Sequence, residues 1–185
     1  LSIECHKNNL VVSVDNPVPE DFTSHYDRKE QGLVVDYIII MGYDEHYVGS
    51  DAGSVASLPW VEQGVQDTIA EVTPERTILA IPFYTRLWKT TGGAVTSEAI
   101  GMDEAQNVLS TNGVEAVWDG SVGQNYATFE QDNSTYQIWL EDAQSIAEKV
   151  KLIQKYNLAG VAQWKLGFEN SSIWQTISDN LQAAS

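Results

Sequence analysis

The chain has 185 residues, of which 43% are hydrophobic and 10% aromatic, as in a globular protein with one sizeable core. Ten basic residues against 26 acidic ones give a formal net charge of −16 at pH 7. This charge repels phosphate backbones and anionic lipid, and no apolar run is long enough to span a bilayer, so we expect no nucleic acid partner and no membrane insertion. A neutral ligand such as a glycan meets no such repulsion, although acidic surfaces also serve solubility alone.

The chain has a single cysteine, Cys5, which excludes an internal disulfide framework and a cysteine-based metal site. Asp44, Glu45 and His46 are metal ligands by type, but three consecutive residues do not converge on one ion without a sharp loop. We therefore expect no metal and no cofactor. Because the sequence begins at Leu1 without a signal segment, we expect a piece of a longer protein or a processed product.

Two strands and a helix are predicted in the first part of the chain. Residues 10–14 form a β-branched run before an Asp-Asn-Pro turn at 15–17, and residues 34–43 are almost continuously apolar, as in a parallel strand buried on both faces. Ser57 is a candidate N-cap, and Pro59 lies in the first turn of the helix that follows. The apolar residues of this helix recur at helical spacing: Val61, Val65, Ile69 and Val72.

The later elements continue the alternation of strands and helices that is typical of a parallel α/β sheet. Residues 77–82 predict a third strand, Asp142 begins a long helix, residues 161–164 predict a fourth strand, and Ser171 caps a last helix. The interval between the third and fourth strands is about 50 residues longer than a single βα unit of about 30 residues.

The excess segment, residues 87–138, has a pattern of its own. A helix over residues 103–112 ends at Gly113, and short aromatic strands follow near residues 117, 126 and 136. We interpret this segment as a small α+β insertion. The remainder holds about 130 residues and four βα units, half of a TIM (βα)8 barrel of about 250 residues.

The predicted strand ends carry polar or aromatic side chains, in the positions where barrel enzymes hold their sites. Tyr43, Tyr84 and Trp164 are the aromatic members. Aromatic faces stack on sugar rings while carboxylates and amides bind the hydroxyls, so this composition suits a carbohydrate site. The alternative is that the three rings simply fill the barrel core.

Three of these strand ends carry longer sequence motifs. Met-Gly-Tyr-Asp at residues 41–44 resembles barrel strand six of family-18 glycoside hydrolases. Ile-Pro-Phe-Tyr-Thr-Arg-Leu-Trp at 81–88 is similar to strand seven and its exit, and Gly-Val-Ala-Gln-Trp-Lys-Leu-Gly at 160–167 to strand eight. Tyr-Asp-Glu-His at 43–46 and Trp-Leu-Glu-Asp at 139–142 resemble the bacterial branch of N-acetylglucosaminidases that act on spore or cell-wall peptidoglycan.

The resemblance implies an α/β fold that is the C-terminal half of the barrel. Barrel strands five to seven with their helices would occupy residues 1–86, and the α+β insertion, where chitinases of this family place theirs, residues 87–138. Barrel helix seven, strand eight and helix eight would occupy residues 139–185.

The resemblance also implies a chemistry, the substrate-assisted retaining hydrolysis of β-linked N-acetylglucosamine polymers such as chitin or peptidoglycan. In this scheme the 2-acetamido oxygen of the sugar attacks the anomeric carbon. Tyr43 would donate a hydrogen bond to the acetamido carbonyl, and Asp44 would complete the catalytic pair. The implied substrate-binding residues are Met41, Tyr84, Arg86 and Trp164, whose indole would form the floor of the pocket.

The general acid of the family is missing from this sequence. Its strand-four motif, Asp-x-x-Asp-x-Asp-x-Glu, does not occur in the 185 residues, and residues 1–9 would correspond to the end of the helix after strand four. We therefore expect the acid upstream and an inactive isolated chain, with a parent protein that is extracellular, in the cell envelope or on the spore surface. Asp44 and Glu45 cannot replace it, because neighbouring residues of a strand point to opposite faces.

Two other functions are considered, a lectin and a flavodoxin-like domain. A lectin-like glycan-binding relative remains an alternative if the upstream Glu is substituted. A flavodoxin-like domain would need a phosphate loop, but residues 15–19 are acidic and proline-rich.

An open half barrel would leave edges near Val12 and Val161, so we expect a homodimer of the fragment. The inward side chains expected to need cover include Val14, Met41, Ile81 and Ala162.

Overall fold

The computed structural model describes residues 1–182, which fold into two β-sheets and their flanking helices. The first sheet is parallel, with its four strands adjacent in the order β1, β2, β3, β9. These strands are β1 (Ser13–Pro17), β2 (Tyr37–Met41), β3 (Thr77–Pro82) and β9 (Gly160–Trp164). The helices that alternate with them are α1 (Ser2–Lys7), α2 (Arg28–Val34), α3 (Leu58–Ile69), α5 (Ala143–Lys155) and α6 (Ile173–Gln182). None of the helices within residues 1–182 is long and apolar enough to cross a membrane.

The second sheet is antiparallel, in the order β5, β4, β8, β7, β6. Its strands are β4 (Tyr84–Thr91), β5 (Ala94–Gly101), β6 (Val117–Asp119), β7 (Gln124–Gln131) and β8 (Ser134–Leu140), with α4 (Met102–Asn112) packed on one face. Helix α4 ends at Gly113, whose φ of 63° suits a residue without a Cβ. Strand β4 begins shortly before the predicted segment 87–138, and β8 ends shortly after it. The bounds of the three predicted domains remain predictions.

Several sequence-based elements agree with the structure. Strand β3 has the predicted bounds, and Asp142 is the N-cap of α5, where its side chain accepts the backbone N–H groups of Gln144 and Ser145. Ser57 occupies the N-cap position of α3, but its hydroxyl donates to Glu45 instead of capping the helix.

The first two strands differ from the prediction. Strand β1 is shifted toward the C-terminus, so that Asp15 and Asn16 lie within the strand and not in a turn. The apolar run 34–43 is not a single element, because α2 ends at Val34 and β2 begins only at Tyr37. Helix α2 was missed because its seven residues are too few for a hydrophobic period, although Asp27 accepts the Glu30 amide as its N-cap.

Two further differences concern the ends of the later elements. The hairpin of β4 and β5 was not predicted, because β5 carries mostly small and polar residues and shows no aromatic pattern. Helix α6 begins at Ile173, and it is Asn170, not Ser171, that accepts the Ser172 amide, at 3.1 Å.

The two faces of the parallel sheet have different environments. The helix side is a buried core that contains Ile40, Leu79, Ile81, Val150 and Ile177. Strand pairing places Ile39, Met41, Ile78 and Ala162 on the opposite face, where each remains partly accessible to solvent. The expectation was therefore wrong for Val14, which packs beside Val35 and Ile38 on the helix side, and for Ile81, which is fully buried there.

We predict that the isolated chain self-associates through this open face and the adjoining edge strands β1 and β9. Leaving several hundred Å² of apolar surface in water costs several kcal/mol at about 25 cal/mol per Å², and a two-fold pairing covers both copies at once. Sedimentation at micromolar concentration should show a dimer for the wild type and a monomer for Ile39→Glu. Val117→Glu, an exposed position of β6, is the matched control and should stay dimeric. A folded wild-type monomer of 20.5 kDa would contradict the prediction.

Candidate functional site

Three aromatic side chains meet where β2, β3 and β9 end. The Tyr43 and Tyr84 ring centroids are 6.2 Å apart in an edge-on arrangement, and the Tyr43 and Trp164 rings stack at 6.5 Å with an interplanar angle of 30°. Tyr84 is buried, Tyr43 is half-buried, and Trp164 is 53% exposed. Core filling therefore describes Tyr84 but not Trp164, whose indole is available to a ligand.

Asp44 lies beyond the end of β2 in the left-handed region, with φ of 68°. Its Oδ1 accepts a hydrogen bond from the Tyr84 hydroxyl, and the residue as a whole is exposed. Strand alternation does not separate Asp44 from Glu45, because β2 ends at Met41. Asp44 and Glu45 nevertheless point apart, since the Glu45 carboxylate turns toward Ser57.

Two tyrosine hydroxyls at the site are held in the neutral form. Burial, followed by the negative charges of Asp15 and Asp44, raises the pKa of Tyr43 to about 12. Burial and the hydrogen bond to Asp44 raise the pKa of Tyr84 still further. Both groups are therefore hydrogen-bond donors at neutral pH. Asp15 was not among the predicted site residues, although β1 carries it on the same face as Met41.

All six predicted residues line one of two depressions that share Asp44. One, of about 220 Å³, is lined partly by Met41 and Tyr43. The other, of about 180 Å³, is lined by Asp44, Tyr84, Arg86, Ala99, Trp164 and Phe168. The Arg86 Nη1 donates to the Ser97 hydroxyl at 3.1 Å, and its buried Nε has no hydrogen-bond partner within residues 1–182.

The loop after Asp44 is fixed by polar contacts that the sequence did not reveal. Glu45 accepts the Ser57 backbone N–H at 2.7 Å and the Ser57 hydroxyl at 2.9 Å. The His46 Nδ1 lies 2.8 Å from the Ser54 carbonyl oxygen. Gly53 fits tightly, because a Cβ there would come within 2.5 Å of the His46 ring. These contacts hold the backbone that carries Asp44, and they use Glu45 and His46 in other roles than metal ligation.

A buried ion pair connects this loop to the antiparallel sheet and to α5. The Lys149 Nζ lies 2.8 and 3.0 Å from the two Glu141 carboxylate oxygens, and both residues are buried. Ser145 Oγ donates to Glu141 at 2.7 Å, and Gln124 Nε2 donates to it at 2.8 Å. The Gln124 side-chain Oε1 in turn accepts a hydrogen bond from the Ser54 hydroxyl. Burial raises the pKa of Glu141, and the positive charge of Lys149 opposes that rise.

Comparison with known proteins identifies the family. The model of Glycosyl hydrolases family 18 matches residues 2–169. The chain belongs to this family. The α/β fold with a parallel sheet and flanking helices agrees with that assignment.

Two curated relatives come from Bacillus subtilis (strain 168). The chain is 26% identical over 159 residues to "Uncharacterized glycosylase YvbX", and the aligned segment covers 85% of this chain and 46% of that protein. It is 25% identical over 157 residues to a "Cortical fragment-lytic enzyme", and the aligned segment covers 83% of this chain and 36% of that protein. The chain thus spans less than half the length of these relatives.

Among solved structures, a chitinase from Chromobacterium violaceum has the same fold. Its TM-score is 0.90 at 24% identity, over 98% of this chain and 58% of that one. At this identity the likeness concerns the family-18 fold alone.

We predict that Lys149→Met destabilises the protein by about 3–5 kcal/mol, because it leaves Glu141 as an unpaired buried charge. Urea unfolding followed by circular dichroism measures the loss. The double variant Glu141→Gln with Lys149→Met should recover part of it, since no charge then remains buried. Lys151→Met is the matched control on the same helix, where the exposed pair with Glu148 contributes little. A small loss for Lys149→Met would show that this pair does not hold the fold together.

Proposed function

We propose that this chain supplies half of the catalytic barrel of a glycoside hydrolase that acts on β-linked N-acetylglucosamine polymers. The observation that carries the proposal is the convergence of Tyr43, Asp44, Tyr84 and Trp164 at the C-terminal ends of adjacent parallel strands. This is the edge at which barrel enzymes hold their sites, and the aromatic and carboxylate side chains suit a sugar. Membership of family 18 supports the same class of reaction.

In the proposed reaction, the substrate's 2-acetamido oxygen attacks its own anomeric carbon. Tyr43 is suited to donate a hydrogen bond to that acetamido group, because a phenol is protonated at neutral pH and the raised pKa makes its ionisation still less favourable. Asp44, oriented by the Tyr84 hydroxyl, would complete the pocket for the reacting sugar. The exposed Trp164 indole would stack under the ring, and Met41 and Arg86 would each line one of the two depressions that share Asp44.

The proposal places the general acid on an upstream half barrel. The acid motif of the family does not occur in these 185 residues, and the parallel sheet has one partly open face. Curated relatives more than twice as long as the matched segment are consistent with a second half. The names of relatives, "Cortical fragment-lytic enzyme" and "Class V chitinase", point to peptidoglycan or chitin, and such polymers would place the parent protein outside the cell, in the envelope or on the spore surface.

A lectin-like function is the second candidate, and the same missing acid motif favours it. In that case, the exposed Trp164 and the neutral Tyr43 would hold a glycan without cleaving it. Hydrolysis by the full-length protein separates the two functions.

We predict that the 185-residue chain binds N-acetylglucosamine oligomers but does not hydrolyse them. A general acid typically contributes about 10²–10⁴-fold to the rate, and half of the cleft is also lacking. Release of a chromophore from a chitobiose glycoside is the measurement. The chain joined to its upstream half should release it, whereas the chain alone should not. Protein-dependent release by the purified chain alone would place the acid within these residues.

We predict that Tyr43→Phe in the full-length protein lowers kcat by about 30- to 1,000-fold with a much smaller rise in KM. The oxygen that accepts the Tyr43 hydrogen bond gains charge only on the way to the transition state, so the bond is strongest there, at about 2–4 kcal/mol. Trp164→Ala should instead raise KM and lower kcat together. Tyr126→Phe, outside both depressions, is the control. A kcat for Tyr43→Phe close to that of the wild type would remove Tyr43 from the mechanism.

A further inference from the structure

A groove that borders Asp44 but not Arg86 lies next to the site. It consists of the 220 Å³ depression next to Tyr43 and a second one of about 390 Å³ along α3. The two depressions share Val18, Glu20 and Trp60, and we refer to them together as the Trp60 groove. Their size is that of a site for a small organic ligand.

Aromatic side chains border the Trp60 groove from two separate loops. Phe22, after β1, is 72% exposed, and Tyr47, after β2, is 55% exposed. Between them lies the half-buried Trp60, whose Nε1–H donates to Glu20 at 3.1 Å and is thereby held in one orientation. Exposed large apolar side chains that surround a depression mark a binding surface. The faces of aromatic rings are suited to stacking on sugars.

The charges of the Trp60 groove are all of one sign. Glu20, Asp44 and Asp67 line it, and no Lys, Arg or His does so within residues 1–182. Gln63 donates to Asp67 at 2.9 Å without neutralising it. The depression beside Trp164 differs, because Arg86 lines it together with Asp44 and balances that charge. The Trp60 groove is therefore anionic, whereas the lining charges of the depression beside Trp164 cancel.

We propose that the Trp60 groove is a glycan subsite that selects by charge. It accepts neutral N-acetylglucosamine, favours an amine-bearing glucosamine ring, and disfavours a ring with a carboxylate, such as the lactyl group of N-acetylmuramic acid. This inference rests on the proposed function, since the groove continues from the site at Tyr43 and Asp44. A polypeptide segment packed over Phe22 and Tyr47 is the competing occupant.

The selectivity has a modest expected size because the carboxylates are solvated. Two unit charges about 4 Å apart in water interact by about 1 kcal/mol, or about fivefold in affinity, and salt screens the interaction over about 10 Å at 0.1 M. Glu20 is the residue to change, because Glu20→Gln removes the charge while the amide oxygen still accepts the Trp60 N–H. Asp21→Asn removes the neighbouring charge, which does not line the groove, and is the matched control.

The experiment titrates the 185-residue chain with three tetrasaccharides and follows the indole N–H signals of its six tryptophans by nuclear magnetic resonance. The probes are the N-acetylglucosamine tetramer, its fully deacetylated counterpart, and a peptide-free tetramer that alternates N-acetylglucosamine with N-acetylmuramic acid. Trp→Phe variants assign the Trp60 and Trp164 signals. Each titration yields a dissociation constant at low salt and at 0.5 M salt.

We expect the neutral tetramer to shift both the Trp164 and the Trp60 signals. Glu20→Gln should lower the ratio of affinities for the amine-bearing and carboxylate-bearing tetramers by about three- to fivefold. Asp21→Asn should leave that ratio unchanged, and 0.5 M salt should reduce it in the wild type. Phe22→Ala should weaken binding of all three probes alike.

Different results overturn different claims. If Trp164 responds but the ratio is the same in Glu20→Gln and the wild type, the charge selectivity is wrong and the proposed function stands. The same holds if Trp164 responds and Trp60 does not, which is the result expected of a groove covered by polypeptide. If neither indole responds to any tetramer, the proposed function and the subsite fall together.

Discussion

The buried pair of Glu141 and Lys149 joins the elements that carry the site. An ion pair in a core is tolerated only when further hydrogen bonds satisfy its polar atoms, and Gln124 and Ser145 supply them. Through Gln124 the pair reaches Ser54, so the antiparallel sheet, α5 and the loop that carries Asp44 are joined by one chain of polar contacts. The left-handed backbone at Asp44 is costly for a residue with a Cβ and needs such support.

Negative charge shapes the chemistry of the site as well as the surface of the protein. A formal charge of −16 repels anionic partners generally, and within the site the nearby carboxylates act on two tyrosine hydroxyls. Asp15 and Asp44 add to the effect of burial in keeping Tyr43 protonated, which suits a donor whose acceptor becomes more negative during the reaction. The same negative charges favour an amine-bearing or neutral sugar over a sugar with a carboxylate, because the carboxylate would be repelled.

The two faces of the parallel sheet differ in their exposure to solvent. Helices bury the side that contains Leu79 and Ile81, whereas Ile39 and Ile78 on the other side remain partly in contact with water. In a closed barrel, that second face would be the interior. The proposed upstream half and the predicted self-association are two ways to cover it, and only the former also completes a catalytic cleft.

The sequence by itself determined the family, the parallel order of the strands and the identity of the strand-end residues. These features are local, because an apolar run such as residues 77–82 or a cap such as Asp142 acts on its immediate neighbours. Tertiary structure alone decided which side chains meet. Tyr84 and Asp44 are 40 residues apart, and Gln124 and Ser54 are 70 apart, so no periodicity links them. The face on which Asp15 lies was likewise settled by pairing with β2, because a strand's register depends on its partner as much as on its own residues.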